Sequence, residues 1–123
     1  MAAPETLSSE GLCIEVRETE DEVRLEWRGK STARQPDLFL VPVLREALER
    51  GERGSRAVVM DFGAMEYMNS STFTPLVKML DQAARGPFHV QLEYSQARRW
   101  QALSFSALRA FATADGRVSI HGR

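Results

Sequence analysis

Ala57-Val58-Val59-Met60-Asp61-Phe62 is an apolar run without alternation, interrupted only by Asp61 near its end. Such a run is expected as a central strand covered on both faces, since side chains pointing either way must leave water. The flanking segments supply its neighbours. Leu12, Ile14 and Val16 alternate with Cys13, Glu15 and Arg17, and beyond the acidic turn Glu18 to Asp21 the pattern repeats in Val23, Leu25 and Trp27 against Arg24, Glu26 and Arg28. This predicts an opening hairpin with one wet face. Phe88, Val90, Leu92 and Tyr94 alternate with His89, Gln91 and Glu93 as a further strand, and Val118 and Ile120 mark a short last one after the Asp115-Gly116 turn.

Between these strands the apolar period changes to that of a helix. Leu40, Val43, Leu44, Ala47 and Leu48 form one stripe, with Pro42 expected in the first turn and Gly51 at the end. Phe73, Leu76, Val77, Leu80 and Ala83 or Ala84 form a second, closed by Gly86-Pro87. A third helix is predicted from about Ala97 to Thr113, interrupted near Ser104, with stripes through Trp100, Leu103, Ala107 and Phe111 and through Phe105, Leu108 and Ala112. Helices between successive strands imply parallel neighbours joined by right-handed crossovers. The predicted fold is therefore α/β, a mixed β-sheet in the order β-β-α-β-α-β-α-β with helices mainly on one face. Residues 1–123 are read as a single domain whose residues 1–10 form a flexible tail.

Composition excludes several functions. A net charge of −1 offers no electrostatic case for nucleic acid or an anionic membrane. No apolar stretch approaches the ~20 residues of a membrane-spanning helix. Cys13 stands alone, and the start of the chain lacks the basic flank and apolar segment of a signal peptide, so a cytoplasmic location is expected. No metal-ligand spacing or glycine-rich phosphate loop is present, and no cofactor is expected.

The chemistry concentrates in Asn69-Ser70-Ser71-Thr72, four good capping residues immediately before an apolar helical stripe. Unpaired N–H groups and the positive end of the macrodipole make a helix start receptive to a phosphorylated hydroxyl. Pro75 has no N–H for the carbonyl of Ser71, which suggests a helix capped by Thr74 and beginning at Pro75, with residues 69–72 as an irregular, exposed approach. From these features alone Ser70, Ser71 and Thr72 are all candidate phosphate acceptors.

The segment Val58 to Thr72 resembles the central motif of STAS domains, the sulfate transporter and anti-sigma factor antagonist family, in which an apolar strand ending in Asp-Leu leads through a short loop to Asp-Ser-Ser-Gly opening a helix. The element order matches as well, so the resemblance implies a STAS-like fold. It also implies a bacterial partner-switching regulator in which Ser70 is phosphorylated by a serine/threonine protein kinase and restored by a phosphatase. Asn69 stands where the family has Asp, and Thr72 where it has Gly. In this respect, and in Arg99 to Phe105, the chain is similar to stand-alone regulators related to biofilm-control phosphoproteins. The implied output partner is an anti-sigma factor or a diguanylate cyclase. A phosphate on Ser70 would add about −1.5 to −2 units of charge beside Asp61 and Glu66. A partner packed against Asp61, Glu66, Tyr67, Met68, Asn69 and Phe73 would have to desolvate it, so binding is expected unmodified and release on phosphorylation.

Other readings compete. The hydroxyl cluster can serve simply as a cap in a constitutive scaffold, and the broad apolar face around Trp100, Phe105 and Phe111 can be core or a homodimer or docking surface. A serine enzyme is disfavoured: Gly-x-Ser-x-Gly is absent and no histidine after Ser70 stands in an obvious base position before His121. His89 and His121 lack a metal-ligand pattern, and Cys13 lacks a partner for catalysis.

Overall fold

A computed structural model of the chain describes residues 3–123. Its strands are β1 (Glu5–Ser9), β2 (Leu12–Glu18), β3 (Glu22–Ser31), β4 (Ala57–Met68), β5 (Val90–Tyr94) and β6 (Val118–Gly122). Its helices are α1 (Asp37–Gly54), α2 (Ser70–Arg85) and α3 (Arg99–Ala107), the last continued by a 3-10 turn at Leu108–Phe111. The six strands form one sheet in the order β1-β2-β3-β4-β5-β6. β1, β2 and β3 pair antiparallel; β3 through β6 are parallel, because a helix intervenes at each of those crossings. This is the expected mixed α/β fold with one strand added at the front. Residues 5–9 are therefore an edge strand and not a tail, while Met1 and Ala2 lie outside the described residues.

Register explains the core. Val16 faces Leu25, Leu25 faces Met60, Met60 faces Leu92 and Leu92 faces Ile120, so one row of apolar side chains runs across the sheet. Leu40, Leu44, Leu48, Leu76, Leu80 and Phe105 of the helices complete a single buried cluster with that row. Trp27, Phe62 and Phe105 are in sequential ring contact at 4.7 Å per step. The opposite face is not covered by helices, contrary to the expectation for β4. It carries instead a lattice of charges in which Arg24 bridges Asp61 and Glu93, and Arg28 and Arg17 both bind Glu15. Val59, a large apolar β4 residue on this face, stays 4% exposed between its ladder neighbours Arg24 and Gln91.

Boundaries within α1 and α3 differ from expectation. Gly51 lies buried inside α1, where a Cβ would stand 2.7 Å from Val58 Cγ2, and the helix ends at Gly54, before Ser55 in the left-handed region (φ 50°). The helix starts at Asp37, so Pro42 falls in its second turn and not its first. The third helix breaks at Leu108 and not at Ser104, and Leu103, assigned to an apolar stripe, is 67% exposed.

Candidate functional site

The hydroxyl cluster sits at the carboxyl end of the parallel strands, where open α/β sheets generally place their binding groups. β4 reaches it by an irregular path. One β3 residue, Trp27, separates Glu26 from Arg28, whereas Phe62 and Gly63 both intervene between their partners Asp61 and Ala64; Glu66 is a second insertion, between Met65 and Tyr67. Each bulge adds a residue to β4 and turns the strand. Inward positions therefore follow as Met60, Phe62, Met65 and Met68, a spacing of two that becomes three, and all four side chains are at most 5% exposed. The expected loop from Gly63 to Met68 is thus strand, and its bulges leave Glu66 and Tyr67 side by side in solvent, Tyr67 being 48% exposed.

Gln101 holds this bulged segment. Fully buried on α3, it donates from Nε2 to the carbonyls of Phe62 (2.7 Å) and Met65 (3.0 Å), and its Oε1 accepts the N–H of Ser95 (2.7 Å). Arg98 Nε adds a bond to the carbonyl of Gly63 at 3.0 Å. The sequence reading missed Gln101; a glutamine one residue after Trp100, within a helix of wide apolar face, is its only trace there.

Asn69 then caps α2. Its Oδ1 accepts the N–H of Thr72 at 3.0 Å, its Nδ2 donates to the carbonyl of Ala33, and its N–H bonds the carbonyl of Ser31. The helix accordingly begins at Ser70 with Pro75 inside it, so residues 69–72 are ordered and not an irregular approach. The carbonyl of Ser71 forgoes its partner from residue 75, a loss confined to the second turn.

This geometry separates the candidate residues. Ser70 and Ser71 are exposed on the first turn of α2, whereas Thr72 is fully buried, its hydroxyl bonded to Asn69 and Ser31, and is not open to modification in this conformation. Glu66, Tyr67 and half-buried Asn69 share the exposed lip with them. Met68 is core, and Phe73 is half-buried edge-on to Phe105 at 5.5 Å, so neither offers a flat surface. Asp61 turns onto the charged face of the sheet. Burial raises its carboxyl pKa, but the N–H of Gly63 and the guanidinium groups of Arg123 (2.7 Å) and Arg24 (3.1 Å) outweigh this and hold it below the ordinary range. His89 is exposed just before β5, at the opposite end of the sheet from Ser70, and His121 is exposed on β6. Among the described residues no group of three or more His, Cys, Asp or Glu is arranged to hold a metal, and no helix is long and apolar enough to cross a membrane.

No protein-family model matches the sequence, and no curated protein matches it. The fold is similar to that of SiaC in the crystal structure of the diguanylate cyclase SiaD in complex with its activator SiaC from Pseudomonas aeruginosa. The TM-score is 0.60 at 16% sequence identity, over 97% of this chain and 99% of that one.

Proposed function

We propose that the chain is a STAS-type regulator that binds an output protein in the unmodified state and releases it when Ser70 is phosphorylated. The observation that carries this reading is the lip formed by Glu66, Tyr67 and Ser70: an exposed aromatic and an exposed hydroxyl held on a strand end and a helix start that are both anchored to the core. A rigid lip costs little entropy on docking, and Tyr offers large contact area with a polar end. A phosphate there adds a dianion next to Glu66, which a docked partner would have to desolvate. The fold likeness to an activator found in complex with a diguanylate cyclase makes such a cyclase a natural output partner. A serine/threonine kinase and an opposing phosphatase complete the cycle, which would operate in the cytoplasm.

In this reading the chain acts by binding and carries no catalysis, because a serine hydrolase would need a base beside Ser70. The test is a titration of the partner with Ser70→Ala, Ser70→Asp and Tyr67→Ala. We expect Ser70→Ala to bind like the unmodified protein and the other two to bind at least tenfold more weakly. Equal affinity of Ser70→Asp and Ser70→Ala would overturn the switch and leave a constitutive scaffold. Intact mass of protein taken from its own cell addresses the same choice, since a scaffold carries no added phosphate.

A further inference from the structure

A cleft of about 300 Å³ opens between α1 and α2, beside the lip but distinct from it. Its floor is apolar, made by buried Pro36 and Pro75 with half-buried Val41. Its walls are polar: Arg34, Asp37, Ser71, Thr74 and Lys78, all exposed. Ser71, Thr74 and Lys78 follow one another at steps of three and four and so share one face of α2. Arg34 closes the cleft from the segment between β3 and α1, which Asn69 ties to α2 through Ala33. Arg24, Arg50, Arg56 and Arg117 each hold a carboxylate, but neither Arg34 nor Lys78 forms an ion pair among the described residues. Two cations against the single carboxylate of Asp37 leave one unit of positive charge around a serine hydroxyl.

We propose that this cleft is a seat for a phosphoryl group carried on Ser71, with Arg34 and Lys78 as its cationic ligands and the Thr74 hydroxyl as a further donor. The inference rests on the phosphoregulator reading only for the kinase that supplies the group. In that step Ser71 Oγ attacks the γ-phosphorus of a nucleoside triphosphate: the Oγ–P bond forms, the bond to the diphosphate leaving group breaks, and the hydroxyl proton passes to a base of the kinase. A planar guanidinium and an ammonium that line the same cleft then pair with the dianion. A phosphate on Ser70 belongs to the lip and weakens docking. One on Ser71 is drawn into the cleft and ties α2 to the segment between β3 and α1 through Arg34, so the two neighbouring serines give opposite mechanical outcomes.

The test installs phosphoserine at position 71 or 70 during synthesis and follows each by 31P NMR across pH. The second phosphate pKa, ordinarily about 6, is expected to be lower at Ser71 than at Ser70 by about half a unit to one unit. Combining Arg34→Gln with Lys78→Gln, both at exposed positions, should raise the phosphoserine 71 value and shrink the difference, and Asp37→Asn should widen it. A phosphoserine 71 titration unchanged by the double substitution would overturn the proposal. So would saturable binding of inorganic phosphate by the unmodified protein without any shift at phosphoserine 71, which would make the seat one for a free anion. Partner affinity enters none of these readouts, so failure here and failure of the Ser70 switch remain distinguishable.

Discussion

The Oγ1 of Thr72 lies 2.6 Å from the Oγ of Ser31, and because Thr72 gives its own proton to Asn69 Oδ1, also 2.6 Å away, Ser31 is the donor in the pair. This buried relay joins the end of β3 to the first turn of α2. Replacing Thr72 by Val keeps the shape and strands the Ser31 proton in the core. We expect a loss of about 1–3 kcal/mol, read by urea unfolding, and a smaller loss for Ser31→Ala/Thr72→Val than the sum of the single changes.

Asn69 serves as cap and as tie. Asn69→Asp keeps the Oδ1 acceptor for Thr72 but removes the amide that donates to Ala33. Asn69→Ala removes both and should cost about 1–2 kcal/mol. The Asp variant is expected between the wild type and Ala, with faster hydrogen exchange in residues 32–36 as its signature.

Gln101→Leu should be the costliest of these changes, because it leaves two carbonyls and one N–H unpaired in a dry site. A loss of about 2–4 kcal/mol follows from the desolvation of several groups at once. Amide exchange should rise first in residues 63–68, and a uniform rise over the whole sheet would contradict a local staple.

Gly51→Ala tests the contact between α1 and β4. Alanine is the better helix former, worth about 1 kcal/mol at an open helix interior. Here its Cβ would meet Val58 Cγ2 at 2.7 Å and the carbonyl of Arg56 at 3.0 Å, neither of which yields easily. A net destabilisation of about 1–3 kcal/mol is expected from overpacking, partly relieved by Val58→Ala.

Asp61 sets an acid limit. Its folded carboxyl titrates below the ordinary value of 3.8, so its contribution to stability is fully present above that pH and is lost as pH falls through the folded value. Asp61→Asn should flatten the stability profile below about pH 4 and leave its shape near neutrality unchanged. An unaltered acid limb would show that the lattice with Arg24 and Arg123 is not what holds Asp61 ionised.

Much of this molecule was legible in residue order. Alternation in Leu12 to Val16 and Val23 to Trp27, helical spacing in Leu40 to Leu48 and Phe73 to Ala83, and the separators at Gly86-Pro87 and Asp115-Gly116 follow from periods of two and 3.6 that local geometry enforces. The misplaced elements share another origin. Residues 63–68 lack either period because two bulges reset the strand, and a bulge is set by what the neighbouring strand and Gln101 require. Gly51 reads as a helix end until Val58 is seen packed against it. Pro75 reads as a helix start until the capping bonds of Asn69 outweigh one missing N–H.

The candidate site divides along the same line. Order along the chain alone determined that a hydroxyl cluster would follow the central strand and open a helix, because capping chemistry is local. Tertiary structure decided which hydroxyls are available: the bulges turned Met68 inward and Glu66 and Tyr67 outward, and Ser31 received Thr72 in the core. It also set Ser71 in a cleft with Arg34 and Lys78, two cations that stand 37 and 7 positions away along the chain. Accessibility and charge environment depend on contacts between distant segments, and no local period records them.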